Sequence, residues 1–364
     1  MTTSERWWRV QARTAPLRPN WHTESSRDPN FLWADKNENF DPRIAQAVQK
    51  TLRDLPNHLV GSYPDLGPVY SRLTDFFSVD NGQALITNGV DEGIRLTFQL
   101  AQSTGRSIFM TAPTFAMYSV YAMALGIDAQ TFTYERHRSG FALDTDQIMA
   151  AIEKLKPSIV FLANPDSPTG SVIPPEVLLK IMDRAGKNGT ILFIDEAYYP
   201  YSEETLLGEI SGQDNLLVAR SFDKAFGLAG FRLGALFGNE GLIDSISRRR
   251  SMYEIGAVQA FVLERMLKKT SLLSEVAHDI RNAKREFEAR ICSLGFEVIP
   301  TDGNFSLILF GDQRDLVRKK LEKTTLYRDQ FGHPSMQDIS RISIVSKGAA
   351  NSIAFQIEEA VSQK

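Results

Sequence analysis

Thr190-Ile-Leu-Phe-Ile-Asp-Glu-Ala-Tyr198 is an apolar run, rich in β-branched residues, that stops on an acidic pair. It lacks the polar alternation of a half-solvated strand, so it reads as a strand covered on both faces, as in a parallel sheet. Similar runs occur at 107–111, 158–163, 216–220 and 232–237, and helix-compatible segments at 144–155 and 176–187 separate some of them. Short apolar strands alternating with helices predict an α/β fold with a mostly parallel sheet. Asp195 falls at the carboxyl end of its strand, where open α/β sheets build their sites. A helix N-cap after the strand accounts for an aspartate at that position equally well.

Working outward, 364 residues exceed what one core comfortably organises, and the pattern changes beyond residue 240. Helical stretches at 257–269 and 272–294 are followed by strands at 304–310 and 341–345, which predicts a smaller α/β carboxyl-terminal domain. The expected division is an arm over 1–40, a large domain over 41–245 and a small one over 246–364. Hydrophobic residues at 43% and a formal net charge of -3 allow a large core and give no footprint for nucleic acid or an anionic membrane. The basic run Arg248 to Arg250 reads as a solvated or phosphate-near face. No stretch approaches the roughly 20 apolar residues of a membrane span, and the amino-terminal residues lack a signal-peptide core, so a cytoplasmic location is expected. A single cysteine, Cys292, fits a reducing compartment, and its neighbours predict a buried or half-buried structural thiol. The five histidines show no metal-ligand spacing.

Ser221-Phe-Asp-Lys-Ala-Phe-Gly-Leu-Ala-Gly-Phe-Arg-Leu-Gly234 places a lysine between two strands, with glycines and an arginine close behind it. A lysine that bonds an aldehyde as a Schiff base must be partly desolvated, glycines let a bulky ring and phosphate approach the backbone, and an arginine can grip that phosphate. Taken alone, Lys224 also fits a surface lysine in a glycine-rich turn. Asn88-Gly-Val-Asp-Glu92 follows an apolar run and opens a helix, whose free N–H groups and dipole suit a phosphate. It is also an ordinary turn and cap. A carboxylate at Asp195 can hold a pyridine nitrogen protonated, and Tyr198 can donate to a phenolic oxygen on the same ring.

These residues, with Asn37-Glu-Asn39, Tyr63-Pro-Asp65, Pro113-Thr-Phe-Ala-Met-Tyr118, Asn164-Pro-Asp-Ser-Pro-Thr-Gly170, Asn304-Phe305 and Arg341-Ile-Ser, occur in the order found in one family. The chain resembles the fold-type I aminotransferases, most closely the histidinol-phosphate aminotransferase branch. The resemblance implies a pyridoxal 5'-phosphate-dependent enzyme with a large α/β/α domain, a smaller α/β domain and a homodimer with shared sites. It assigns Lys224 the Schiff base and the proton shuttle, Asp195 the pyridine nitrogen, Tyr198 the phenolic oxygen and Phe115 the stacked ring. Val90, Asp91, Ser221 and Arg232 would hold the phosphate, Tyr63 would reach the neighbouring subunit's phosphate, and Ser167 would lie beside the ring. Asn39, Arg328 and Arg341 would meet substrate.

Four positions depart from that pattern. Ser167 stands where the family has asparagine, and Asp223 where it has serine or threonine donating to the phosphate. Phe40-Asp41 replaces a proline and the tyrosine that binds substrate phosphate, and Tyr253-Glu-Ile-Gly256 lacks the usual asparagines. A carboxylate at 223 would repel a phosphate if it pointed the same way; it is expected to turn toward an arginine, the alternative being an altered phosphate seat. The departures make histidinol phosphate itself an unexpected substrate. The leading expectation is transamination between an amino acid and a keto or aldehyde acceptor, with an anionic or phosphorylated partner. The alternatives are decarboxylation of an amino acid or phosphoamino acid, and a non-catalytic cofactor-binding regulatory module.

Overall fold

The computed structural model describes residues 27–362. We number the strands of its two larger sheets in chain order. The first comprises β1 (Ala84–Thr87), β2 (Ile108–Ala112), β3 (Ala129–Thr133), β4 (Ile159–Ala163), β5 (Ile191–Asp195), β6 (Leu216–Ser221) and β7 (Gly234–Gly238), in the spatial order β1-β7-β6-β5-β4-β2-β3. The pairings β2–β3, β2–β4, β4–β5 and β5–β6 are parallel, while β7 runs antiparallel to both its neighbours. The expected strands sit within a residue or two of their predicted bounds, and the α/β class with a mostly parallel sheet is the one found.

Both faces of this sheet are covered, which is why its strands carry no polar alternation. Along β5, Leu192 and Ile194 point into one buried cluster, and Phe193 between them points into a second. On β4 the same alternation sends Val160 and Leu162 one way and Ile159 and Phe161 the other. Helices Thr145–Leu155 and Pro175–Lys187 pack on the first face, and Gly89–Gln102 on the second. Asp144 caps the first of these, its carboxylate accepting from the Gln147 N–H at 2.9 Å.

The second sheet is antiparallel, β8 (Glu297–Ile299), β9 (Phe305–Leu309) and β10 (Ser340–Ser343) in sequence order. Helix Thr270–Ser293 packs on it, and helix Lys347–Ser362 packs on that helix. One continuous apolar cluster joins it to the first sheet through Phe222, Phe226, Ile255, Phe305 and Ile342. Most of the predicted arm lies outside the described residues; within it, Leu32–Ala34 forms a parallel pair with Thr325–Tyr327 and so ties the start of the described chain to its carboxyl-terminal region. Cys292 corrects an expectation, for it is exposed. Ile291 takes the inward position on helix Thr270–Ser293, and a step of one residue along a helix turns the thiol outward.

Glycine at 234 is required by packing. A Cβ there would lie 2.5 Å from the Val90 nitrogen and 2.6 Å from the Gly89 carbonyl carbon, so β7 can lie against the start of helix Gly89–Gln102 only without a side chain. Gly234→Ala is expected to lower stability by about 1–3 kcal/mol through backbone displacement, whereas Gly230→Ala, with open space around it, should be nearly neutral. Urea unfolding midpoints of the two variants check this, and equal midpoints would refute the packing argument.

Candidate active site

The carboxyl ends of β2, β4, β5 and β6, the start of β7 and the first turn of helix Gly89–Gln102 converge on a cavity of about 770 Å³. Its wall also takes residues 35–37 from the amino-terminal side and Arg328, Phe331 and Arg341 from the carboxyl-terminal region. Helix Gly89–Gln102 begins without a side-chain cap, so the N–H groups of its first turn remain available where Val90 and Asp91 face the cavity.

Asp195, the last residue of β5, is buried; its Oδ2 accepts from the Tyr118 hydroxyl at 2.9 Å and its Oδ1 from the Ala197 N–H at 3.1 Å. The chain continues as a turn, so Asp195 caps no helix. Burial pushes its carboxyl up to about 6 against those two bonds, which favour the anion. A carboxylate so placed calls for a cation at the base of the cavity. Tyr198 is buried three residues on, and its hydroxyl accepts from the Asn37 Nδ2 at 2.7 Å, which leaves its own proton for another acceptor. Asn37 holds a left-handed backbone (φ 56°) fixed by the Ser343 hydroxyl, which accepts from its N–H at 3.0 Å and donates to its Oδ1 at 2.6 Å.

Lys224 is half-buried, and its Nζ donates to the Lys36 carbonyl at 2.8 Å. The Ser221 hydroxyl accepts from the Asp223 N–H at 3.1 Å. Arg232, itself left-handed (φ 51°), lies against Gly89, where a Cβ would come within 2.6 Å of Nη2. Its guanidinium pairs with Asp223, the arginine-facing arrangement the sequence led us to expect. Phe115 presents a partly exposed ring to the cavity. Arg341, buried on β10, donates from Nη1 to the Ser167 hydroxyl at 3.2 Å and from Nη2 to the Asp35 carbonyl at 2.7 Å; its Nε has no partner among the described residues. Arg328 and Arg341 exchange backbone hydrogen bonds, 3.0 and 2.7 Å long, so two guanidinium groups arise side by side on the cavity wall.

Of the residues singled out from sequence, Asn39 and Tyr63 are not in this wall. Asn39 is buried behind it, with Nδ2 donating to the Ala225 carbonyl at 2.9 Å and Oδ1 accepting from the Asp41 N–H at 3.0 Å. Tyr63 is 79% exposed and stacks on Tyr253, with centroids 4.8 Å apart. Asp41, at the position of the family's phosphate-binding tyrosine, instead caps helix Pro42–Arg53 and pairs with Arg43 at 2.8 Å. The sequence reading missed Tyr118, Asn37 and Lys36. Tyr118 carried a signal, since it ends the Pro113-to-Tyr118 motif that also supplies Phe115.

The cavity suits pyridoxal 5'-phosphate on its own chemistry. It combines a lysine amine, a buried carboxylate with no ion-pair partner among the described residues, a hydroxyl whose proton has no acceptor among them and an arginine beside uncapped helix N–H groups, and both Gly89 and Gly234 keep the backbone clear there. The family model for aminotransferase class I and II matches residues 30–354. A histidinol-phosphate aminotransferase of Thermoanaerobacter sp. strain X514 is 32% identical over 308 residues, 83% of this chain and 86% of the relative. Among solved structures, the histidinol-phosphate aminotransferase of Sinorhizobium meliloti in complex with pyridoxal-5'-phosphate superposes with a TM-score of 0.77 at 20% identity, covering 91% of each chain. The L-threonine-O-3-phosphate decarboxylase of Porphyromonas gingivalis shares the fold at a TM-score of 0.72 and 20% identity, over 92% of this chain and all of that one. The chain belongs to the class I and II aminotransferases, in the histidinol-phosphate aminotransferase-like branch, and is a pyridoxal phosphate-dependent enzyme of fold type I.

Proposed function

We propose that the enzyme moves an amino group between an amino acid and a keto or aldehyde partner bearing a carboxylate or phosphate, in a specialised biosynthetic route. The observation that carries the anionic preference is the Arg328–Arg341 pair on the cavity wall, one of the two buried with an unused Nε, near the exposed Lys36 at the same cavity. Three cations favour a substrate with more than one negative charge, and a guanidinium meets a carboxylate or phosphate with two parallel bonds. Asp41 is spent on its helix, so the hydroxyl that a histidinol-phosphate enzyme of the usual pattern offers to substrate phosphate has no counterpart there. This supports an anionic substrate other than histidinol phosphate.

Pyridoxal phosphate, when bound, supplies an aldehyde that captures amines and a ring that withdraws electrons from the bond being broken. Around it, Asp195 would hold the ring nitrogen, Tyr198 would give its free proton to the phenolic oxygen, and Phe115 would wall one face. Val90, Asp91, Ser221 and Arg232 would hold the phosphate. Lys224 Nζ, positioned by the Lys36 carbonyl, is the amine that accepts and returns a proton at the substrate α-carbon. Ser167 binds Arg341, which orients the substrate arginine rather than the ring. The exposed Tyr63, with Val60 and Met252 also exposed nearby in sequence and on its stacking partner's segment, supports a homodimer in which Tyr63 completes the neighbouring site. The single cysteine, free and exposed, supports a reducing cytoplasmic setting. No described helix is long and apolar enough to cross a membrane.

Incubating holoenzyme with amino acids and phosphorylated amines tests the reaction. Keto acid released with conversion of the cofactor to its amine form supports transfer, and carbon dioxide without that conversion reassigns the reaction to decarboxylation. Lys224→Ala should leave no borohydride-trapped adduct and lower turnover by roughly 10²–10⁴-fold or more, measured on cofactor-saturated protein. Retained turnover would remove the lysine's role. Arg341→Ala should cost about 2 kcal/mol or more in binding anionic substrate, read as a roughly thirtyfold or greater fall in kcat/KM with cofactor affinity unchanged.

Asp195 gives a prediction of opposite sign for stability. Its folded-state value near 6 lies above the ordinary 3.8, so its contribution is fully present below the ordinary value and lost as pH rises through about 6. Ionised Asp195 therefore costs the cofactor-free protein on the order of 3 kcal/mol at neutral pH. Asp195→Asn apoprotein should be more stable than wild type, with the gap widening from about pH 4 to 6 and level above, while turnover of the loaded enzyme falls at least about a hundredfold. Urea unfolding across that range and steady-state assays measure the two effects; a less stable variant at neutral pH would contradict the assignment.

A further inference from the structure

The phosphate seat of this enzyme contains an acid. Asp223 is 8% exposed; one carboxylate oxygen pairs with Arg232, and the other, Oδ1, is buried with no partner among the described residues. Arg232 itself lies against Gly89, at the start of the helix whose Val90 and Asp91 face the same corner of the cavity. The charged groups gathered there are Arg232 and Lys224, both positive, and Asp223 and Asp91, both negative, and Asp91 Oδ1 is likewise buried without a partner among the described residues. The corner is thus electrically balanced before any ligand arrives. A phosphate monoester carries close to two negative charges at neutral pH, and a carboxylate sharing its guanidinium would oppose it.

Resting on the cofactor assignment above, we propose that Asp223 takes up a proton when the cofactor's phosphate is seated, and that its Oδ1–H then donates to the phosphate in place of the hydroxyl usual at this position. Cofactor retention is thereby coupled to pH through a residue of the seat itself. The proton comes from solvent and moves onto a carboxylate oxygen, so no other bond forms or breaks. Burial already raises the Asp223 carboxyl above its ordinary range, although the Arg232 and Lys224 charges and the Arg232 hydrogen bond oppose the shift. An added phosphate raises it further, so the bound form holds more protons than the free form, and affinity must fall as pH rises between the two values. The limiting slope is about tenfold per pH unit. If Arg232 instead released Asp223 and took the phosphate while the carboxylate stayed ionised, no proton would be taken up.

Calorimetric titration of apoprotein with pyridoxal 5'-phosphate, at about pH 7.5 in phosphate-free buffers of differing ionisation enthalpy, counts the protons. Wild type should take up more protons than Asp223→Asn, with one additional proton as the upper bound. Its affinity relative to the variant should fall as pH rises, at most about tenfold per unit. Asp195 and the cofactor's own groups titrate in both proteins and cancel in the comparison. Asp223→Ser, which restores a neutral donor, should behave as the asparagine variant does and bind more tightly than wild type at the alkaline end. Pyridoxal, which lacks the phosphate, should show no difference between the proteins. Equal proton counts for wild type and both variants, or a difference of the same size with pyridoxal, would overturn the proposal while leaving the lysine adduct visible by its absorbance. Absence of that adduct in every protein would overturn the cofactor assignment, and this proposal with it.

Discussion

A carboxylate held at the end of a strand that is covered on both faces is the constraint on which this site depends. Asp195 has Tyr118 and the Ala197 N–H as partners, yet burial still pushes it up to about 6. Such a group raises the energy of the empty protein and lowers that of any complex bringing a cation to it. In the proposed complex a protonated ring nitrogen would be that cation, and the cost of burying Asp195 would become selectivity for a ring that can be protonated there. The neighbouring residue shows the alternative. Glu196 is equally buried but pairs with Arg220 at 2.8 Å, and that arginine is stacked over Tyr199. Two successive carboxylates point to opposite faces of one strand end, one neutralised within the fold and the other left for a ligand.

Much of this was legible in the sequence because it depends on local order. A strand buried on both faces must be continuously apolar, so the runs at 158–163, 190–194 and 216–220 announced a parallel sheet, and Asp195, just past one of them, was placed at its edge. The corner near Lys224 was legible for a similar reason: a lysine, an arginine eight residues on and two glycines between them lie on one connection between adjacent strands. Asp223 was legible too, since a carboxylate beside that arginine had one obvious partner.

What could not be read depends on contacts between distant segments. Asn37 reaches Tyr198 across 161 positions, and its geometry is set by Ser343, 306 positions away. Nothing in the local sequence distinguishes that asparagine from Asn39, which faces the Ala225 carbonyl instead. The two differ in backbone conformation, for Asn37 is left-handed and points its amide into the cavity. Cys292 was misread because apolar neighbours in sequence are not neighbours on a helix face, where the spacing of three or four residues decides.

The departures from the family pattern fall into two groups with different physical weight. Ser167 and Asp41 are each drawn into a contact within the chain, Ser167 with Arg341 and Asp41 with Arg43 and its own helix. Arg341 remains buried with an unused Nε, so it keeps its capacity for an anion while the surroundings that would select a particular one have changed. Asp223 is different, because it alters the seat of the cofactor, which every turnover requires. One of its carboxylate oxygens pairs with Arg232 and the other has no hydrogen-bond partner among the described residues, which would leave room for the proposed proton. On the proposed reading, substrate selection would differ through neutral and anionic side chains rewired around the arginines at 328 and 341, while Asp223 and Arg232 stay paired at the proposed cofactor seat.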